Sequence, residues 1–333
     1  MRPAATLGIF IAFVALAVSA YSQQSVSWVD PSPHAVRFVT VEDNVRLEVL
    51  DWGGTGRSVV LLAGGGNTAH VFDELAPKLT TDYHVYSITR RGFGASGFSA
   101  ADNPVDRLRD DVVAVLGALK LERPVLVGHS IAGAELSAVA SSHSDRVAGL
   151  IYLEAGYPYA FDNGKGPKMK EFQMAGPRPP NPSASDLASF SSLHKWDAEV
   201  FGFPRPEAEL RQTWEADSSG RPRKPRNFPG AQAFGAIMAS DRAHTHIPVP
   251  ALVMFALPHV PESWIDNSTE PSTREAARVY YAAIDAATER QAKALEDGVP
   301  TARVVRMRDA HHIFLSNEGE TLREMRAFLA GLK

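Results

Sequence analysis

Hydrophobic and polar residues follow two spacings along the chain, and the two spacings alternate. Short apolar runs and period-two patterns predict strands, whereas apolar residues three or four positions apart predict helices. The predicted strands occupy residues 35–41, 46–51, 59–62, 83–88, 124–127, 148–153, 250–255 and 302–307. The predicted helices occupy residues 70–79, 105–119, 273–295 and 318–332, with a further helix directly after Ser130. Because strands and helices alternate, the pattern predicts an α/β fold with a mostly parallel twisted sheet and helices on both faces.

The alternation stops between residues 156 and 246, where the composition also changes. This segment is rich in Pro, Gly and Ser, yet it contains many aromatic residues, which cannot all stay in water. We therefore expect a cap folded over the carboxyl edge of the sheet, with a disordered linker as the alternative. The predicted core has two parts, residues 21–155 and 247–333, and the cap or lid at 156–246 is inserted between them.

The N-terminal residues have the pattern of a secretory signal. Arg2 supplies a positive charge, residues 7–18 are almost wholly apolar, and Ala20 ends a run of small side chains. The pattern predicts a cleavable signal peptide at residues 1–20, with an uncleaved membrane anchor as the alternative. The protein would then be periplasmic or secreted, with no membrane attachment after removal of the signal.

Composition limits the classes of function. The chain has 333 residues, 44% of them hydrophobic, and a formal net charge of −4. This size suits one large domain with an insertion. The net negative charge is not that of a nucleic-acid-binding protein, which carries an excess of basic residues, so we expect no nucleic-acid partner. Since the sequence contains no cysteine, an exported protein would form no disulfide and would depend on its core for stability.

The most informative motif joins the fifth predicted strand to the helix that follows it. Residues 128–133 read G-H-S-I-A-G, which departs from the strict G-x-S-x-G pattern because Ala132 precedes Gly133. Small residues are needed because a nucleophile in a strained strand-to-helix turn leaves no room for large neighbours. The motif makes Ser130 the candidate nucleophile.

From about Val36 to the C-terminus, the sequence resembles the α/β-hydrolase family. The landmarks in the family's order are a glycine turn at residues 64–66, an R-G-F-G-x-S loop at 91–96, the serine turn at 128–133, and a late histidine. The resemblance implies the α/β-hydrolase fold and a catalytic triad of Ser, His and an acid. A serine nucleophile argues against dehalogenase and epoxide-hydrolase chemistry, which similar enzymes carry out through Asp.

The resemblance places the general base in the loop after the last strand. A base is required because a serine hydroxyl is a poor nucleophile at its free pKa. His311 is the predicted base, and its neighbour His312 is the alternative.

The acid is the main departure from the family pattern. The family usually supplies it shortly after the seventh strand, where residues 256–260 contain no carboxylate. Glu154, at the end of the sixth strand, is the predicted acid, because some members of this fold carry a Glu there and an unpaired buried charge would be costly. We expect Glu154 to hydrogen-bond His311 and fix its tautomer. Asp266 and Glu262 are the alternative acids, in which case Glu154 would brace the hinge of the cap.

The resemblance also implies an oxyanion hole made of backbone N–H groups. One donor would come from Gly65 in the glycine turn and the other from Ile131, directly after the nucleophile. Ala63 stands where the family often has a histidine that braces this turn. Asn67 and His70 are nearby candidates for substrate binding, with simple roles in the turn and the start of the helix as the alternative.

The predicted function is hydrolysis of a carboxylic ester or lactone through an acyl-enzyme intermediate. The aromatic cap indicates a small apolar substrate, and Trp196 and Trp214 are its predicted contacts. The alternatives are a C–C bond hydrolase, amidase or perhydrolase with the same triad, and a non-catalytic ligand-binding protein of this fold. We expect no cofactor and no metal, because the H-x-H at His244 and His246 lacks the ligand set of a zinc site.

Overall fold

A computed structural model describes residues 28–100, 104–240 and 244–332. The predicted signal peptide at residues 1–20 lies outside this part of the chain. From Ser32 onward, the chain forms one compact unit. Every helix in the described ranges is too short or too polar to cross a bilayer.

An eight-stranded sheet forms the centre of this unit, and a two-stranded hairpin lies apart from it. The strands are β1 (Ala35–Glu42), β2 (Val45–Gly53), β3 (Ser58–Leu62), β4 (His84–Ile88), β5 (Val125–His129), β6 (Gly149–Leu153), β7 (Trp214–Ala216), β8 (Pro222–Pro225), β9 (Ala251–His259) and β10 (Ala302–Asp309). Their order in the sheet is β1-β2-β4-β3-β5-β6-β9-β10, and β7 pairs with β8. β2 is antiparallel to β1 and β4, and the other neighbours in the sheet are parallel.

The α-helices of the described residues lie between and after these strands. They are α1 (Pro104–Ala118), α2 (Ala132–Ser142), α3 (Phe190–Phe201), α4 (Glu207–Thr213), α5 (Gln232–Met238), α6 (Ser263–Asp266), α7 (Pro271–Gly298), α8 (Ile313–Ser316) and α9 (Glu318–Gly331). α3, α4, the β7–β8 hairpin and α5 are inserted between β6 and β9. The prediction of a mostly parallel α/β sheet with an inserted cap is confirmed.

The sheet is buried on both faces, as expected for strands made of nearly continuous apolar residues. In β5, Val125 and Val127 belong to one core cluster and Leu126 belongs to the other. Successive side chains of a strand point to opposite faces, so the apolar run supplies both cores. The parallel strands end at one edge of the sheet, and β3, β5, β6, β9 and β10 bring the loops that follow them together there.

The predicted helix at residues 70–79 is wrong. The structure has two 3₁₀ turns there, Ala69–Phe72 and Ala76–Leu79. Pro77 has no N–H to donate, and its ring would clash with the carbonyl four residues before it in a continuous α-helix. The apolar spacing was therefore read correctly, but the proline breaks the helix.

β9 is longer than predicted. The sequence pattern predicted a strand at residues 250–255, but the strand continues to His259, which is paired in register with Asp309 of β10. The N–H of Val260 then donates to the carbonyl of Asp309 at 2.7 Å. The extension carries His259 past the buried part of the sheet to the edge where the candidate site lies.

Candidate active site

Ser130 occupies a strained turn between β5 and α2. Its φ is 51°, in the left-handed region that costs energy for a residue with a side chain. A Cβ on Gly133 would lie 2.0 Å from the carbonyl oxygen of Ala155, so glycine is required there. The Ser130 N–H also donates to the carbonyl of Leu153 at 3.1 Å. The turn at Ser130 is therefore packed directly against the chain on either side of Glu154.

Glu154 lies in a similar turn at the end of β6. Its φ is 49° and its side chain is fully buried. The N–H of Ala256 donates to Glu154 Oε2 at 2.5 Å, and the hydroxyl of Tyr157 donates to Oε1. His259 Nε2 lies 3.1 Å from the same Oε1. Several donors therefore fix the carboxylate in one orientation.

His311 follows β10 and presents a half-exposed ring to the same region. Its Nδ1 lies 3.8 Å from Glu154 Oε1, which is longer than a hydrogen bond. The expected direct hydrogen bond is therefore not formed in this structure, although the predicted pair is adjacent. Oε1 instead accepts from Tyr157 and faces Nε2 of His259.

His259 is the site residue that the sequence analysis missed. Its Nδ1 lies 2.7 Å from Asp285 Oδ1, and its Nε2 faces Glu154. Since both ring nitrogens face carboxylate oxygens, the ring is held as an imidazolium. Burial lowers the pKa of His259, but Asp285 and then Glu154 outweigh burial and raise it to about 9. The sequence did contain an indication that His259 belongs to the site, because this residue stands in the segment where the family usually has its acid.

The same contacts determine the charge of Glu154. Burial raises the pKa of its carboxyl, but the hydrogen bond from His259 and the proximity of His311 lower it to about 2. Glu154 is therefore ionised across the physiological range. A carboxylate behind a histidine can orient the ring and stabilise the imidazolium that forms when the ring takes a proton.

His312, the alternative base, lies among other rings. It packs against His129 and Phe203, with ring centroids 4.7 and 5.5 Å away. Burial, and then the neighbouring His129 and His311, lower its pKa well below the ordinary value. His129 Nε2 lies 3.1 Å from the carbonyl oxygen of His311, and since a carbonyl only accepts, this nitrogen carries the proton. His129 thus supports the loop that carries His311.

Gly65 and Ile131, the predicted oxyanion-hole residues, line the same cavity as Ser130. Ile131 is the N-cap of α2, where free N–H groups and the helix dipole favour negative charge. Tyr159, a third neighbour that the sequence analysis missed, also lines this cavity, and burial, followed by the charge of Glu154, raises the pKa of its phenol well above the ordinary value. These groups surround the place where a substrate oxygen would become negative.

A buried arginine braces the glycine turn. Arg90 Nη2 donates to the carbonyl of Ala63 at 2.8 Å, and Nη1 to that of Gly64 at 3.3 Å. Its Nε also donates to Glu135 of α2 at 2.5 Å. One side chain therefore ties the turn before Gly65 to the helix after Ser130, and does so without the histidine that the family often places at position 63.

Asn67 and His70, predicted to bind substrate, do not line this cavity. Asn67 Nδ2 donates at 2.9 Å to Glu209, a fully buried residue of α4. His70 is buried between Glu48 and Asp73, with its nitrogens 3.8 and 3.7 Å from their carboxylates. Both side chains contact buried carboxylates and lie outside the lining of the cavity.

Trp196 and Trp214 do not line the cavity either. Both pack in a small apolar cluster within the insertion, together with Phe190, Leu193 and Leu210. Among the described residues, neither alternative acid forms an ion pair with His311: Glu262 accepts from the hydroxyl of Tyr281 at 3.2 Å, and Asp266 is exposed. A large aromatic residue in a cap can stabilise the cap itself, and composition does not separate that role from contact with substrate.

The cavity around Ser130 has a volume of about 520 Å³. The insertion supplies much of its apolar wall, through Met169, Phe172, Phe201, Phe203, Phe234 and Met238. In the described chain, the residues around Ser130 do not form a cluster of three metal ligands. The arrangement is a deep apolar site with one serine, histidines and a buried carboxylate at its polar end.

This fold and site define an α/β hydrolase. The chain belongs to the alpha/beta hydrolase family, whose sequence model matches residues 59–324. The predicted family membership is therefore confirmed.

Known proteins of several activities are similar to this chain. The non-heme haloperoxidase of Rhodococcus erythropolis is 27% identical over 230 residues, which cover 65% of this chain and 80% of that protein. The pimeloyl-[acyl-carrier protein] methyl ester esterase of Aliivibrio salmonicida is 25% identical over 189 residues, covering 56% and 67%. The crystal structure of E-2-(acetamidomethylene)succinate hydrolase superposes with a TM-score of 0.61 at 14% identity, covering 90% of this chain and 100% of that one. The last likeness shows the fold alone.

Proposed function

We propose that this protein is a serine hydrolase that cleaves a carboxylic ester or a lactone through an acyl-enzyme intermediate. The observation that carries the proposal is the placement of Ser130 in a strained turn, facing an apolar cavity that His311 also lines. Glu154 lies behind His311 and is ionised. The similarity of this chain to a methyl ester esterase supports an ester as the bond that this site cleaves.

In the proposed reaction, Ser130 Oγ attacks the carbonyl carbon while His311 takes the hydroxyl proton. The carbonyl π electrons move to its oxygen, which accepts hydrogen bonds from the N–H groups of Gly65 and Ile131. The oxyanion then reforms the carbonyl and expels the alcohol, which receives the proton from His311. Water repeats the sequence on the acyl-enzyme and releases the acid and Ser130. Glu154 stabilises the imidazolium in both halves.

The proposal is tested with Ser130→Ala and a panel of p-nitrophenyl esters, lactones and amides. Loss of a triad member lowers turnover by roughly 10⁴-fold, so the variant should fold normally and lose nearly all activity. The wild-type protein should also be labelled on Ser130 by a small phosphonate, detected by mass spectrometry. Esterase activity retained near the wild-type rate in Ser130→Ala would refute the nucleophile, and a wild type inert to the phosphonate would favour a ligand-binding role. Preference for amides in the panel would refute the ester.

The cellular location of the protein is a separate proposal. The apolar segment at residues 7–18 supports export, and we propose that the protein acts outside the cytoplasm. N-terminal sequencing of the protein from its native host tests this, because a cleaved signal would leave a mature chain that begins near residue 21.

A further inference from the structure

The charged groups around the cavity indicate which substrates it accepts. Among the described residues that line it there is no lysine or arginine, and Glu262 contributes a carboxylate. The partner of Glu262 is the neutral hydroxyl of Tyr281, which donates to Oε2 at 3.2 Å. A negative charge therefore faces the cavity without a lysine or arginine in its wall.

The negative charge of Glu262 affects the pKa values of the two tyrosines beside it. Tyr280 and Tyr281 of α7 both line the cavity. Burial, and then the charge of Glu262, raise the pKa of each phenol above its ordinary value. The same surroundings that disfavour a phenolate would disfavour a carboxylate on a bound molecule.

Two of the histidines of the lining, His259 and His312, do not reverse the effect of this negative charge. The imidazolium of His259 lies between Glu154 and Asp285, so the three groups together carry a net negative charge. His312 has a pKa well below its ordinary value because of burial and the adjacent His129, so it is neutral at physiological pH. A carboxylate in the cavity would meet no unpaired positive charge from these groups.

We propose that the cavity accepts esters or lactones with an uncharged acyl chain and rejects acyl chains that end in a carboxylate. The inference rests on the proposed function. A carboxylate that enters an apolar cavity loses its hydration, and the imidazolium of His259, already paired with two carboxylates, does not compensate for the loss. Glu262 adds like-charge repulsion, which is a means of excluding a competing ligand. Glu262 is thus the specificity-determining residue of the acyl site.

The test compares three p-nitrophenyl esters of similar acyl length: the hexanoate, the adipate monoester and the 6-aminohexanoate. They carry a neutral, an anionic and a cationic acyl end near neutral pH, and kcat/KM is measured for each. We expect the hexanoate to exceed the adipate ester by about 100-fold. The cationic ester should fall between them, because Glu262 attracts it while desolvation still opposes its entry.

Glu262→Gln and Asp266→Asn form a matched pair of variants. Each removes one negative charge from adjacent turns of the chain, but Asp266 is exposed and does not line the cavity. Glu262→Gln should raise the adipate ester relative to the cationic ester by about tenfold, as expected for removal of a like charge. Asp266→Asn should leave this ratio unchanged. Since each ratio is taken within one preparation, partial misfolding cancels.

Several results would overturn the inference. These are an adipate ester cleaved as fast as the hexanoate, equal rejection of both charged esters, or an anion-to-cation ratio that Asp266→Asn changes as much as Glu262→Gln. Labelling of Ser130 by the phosphonate is measured in the same preparations. A protein that reacts with the phosphonate but prefers the adipate ester refutes only this inference, whereas an inert protein refutes the proposed function.

Discussion

Glu154 in the core and Glu209 in the insertion are both fully buried, but the groups that contact their carboxylates differ. Glu154 faces two histidines, and its pKa is lowered to about 2 despite burial. Glu209 accepts hydrogen bonds from Asn67 Nδ2, from the N–H of Thr68 and from the Thr68 hydroxyl, all neutral donors. Burial therefore raises the pKa of Glu209.

The difference distinguishes a carboxylate that can take part in a reaction from one that joins two segments of the fold. A carboxylate beside histidines stays charged and can stabilise an imidazolium during the reaction. One beside neutral donors holds two segments together, here α4 of the insertion and the loop after the glycine turn. The comparison predicts that Glu154 governs rate, and that Glu209 governs docking of the insertion.

Glu154→Gln gives the largest effect in this comparison. In the proposed reaction, the charge of Glu154 stabilises the His311 imidazolium; the amide keeps the shape of the side chain but removes this charge, so kcat should fall by roughly 10³ to 10⁴-fold. Asp266→Asn, which removes an exposed carboxylate that was an alternative acid, should change kcat little. Steady-state kinetics of both purified variants provide the measurement. If Asp266→Asn were the inactive variant instead, Glu154 would have only a structural role.

His259→Gln tests whether the imidazolium positions Glu154. Without the imidazolium of His259, the carboxylate of Glu154 is held less firmly. Because a small misplacement of a catalytic group can lower the rate about 100-fold, kcat should fall by up to that factor. KM should change less, because the apolar side chains that line the cavity are unchanged. Wild-type kcat should also decline as pH rises through about 9, where His259 loses its charge. The variant should lack this decline, and a profile that keeps it would assign the titration to another group.

The same variant has a predictable effect on stability. The folded-state pKa of His259 is raised from 6.5 to about 9, so its contribution is fully present below pH 6.5 and is lost as pH rises through about 9. The pKa of Glu154 is lowered from 4.5 to about 2, so its contribution is present above pH 4.5 and is lost as pH falls through about 2. The stability difference between wild type and His259→Gln should therefore be large near pH 6 and shrink above pH 9, as measured by denaturant unfolding.

These sites also show how far the sequence could be read. Ser130, Glu154 and His311 could be proposed because each follows a predicted strand, and the carboxyl ends of parallel strands meet at one edge. His259 was missed because β9 continues beyond its apolar run, so the residue was assigned to a loop. The pairing of Asn67 with Glu209 spans 142 positions, and no local pattern encodes such a contact.

Glu209→Ala should act mainly on stability. Its removal leaves the buried donors of Asn67 and Thr68 without an acceptor, at a cost of about 1–3 kcal/mol. Glu209→Gln should cost less, since its amide oxygen still accepts. Because the folded-state pKa of Glu209 is raised, its contribution is present at low pH and is lost as pH rises through that pKa. The stability gap between wild type and Glu209→Gln should therefore narrow from pH 4 to pH 7 in urea unfolding. A stability gap that widens would contradict the raised pKa of Glu209.

The smallest effect on chemistry is expected from Trp214→Ala, and it revises the prediction from sequence that this residue contacts substrate. Trp214 packs inside the insertion, whereas Phe203 lines the cavity and packs on His312. Both are buried aromatic residues, so truncation of either should destabilise the fold by about 3–5 kcal/mol. Only Phe203→Ala should change the ranking of kcat/KM among p-nitrophenyl esters of rising chain length, because it alone enlarges the acyl site. If Trp214→Ala changed the ranking as much as Phe203→Ala, specificity would be a property of the whole insertion, and the separation between the wall of the cavity and the core of the insertion would fail.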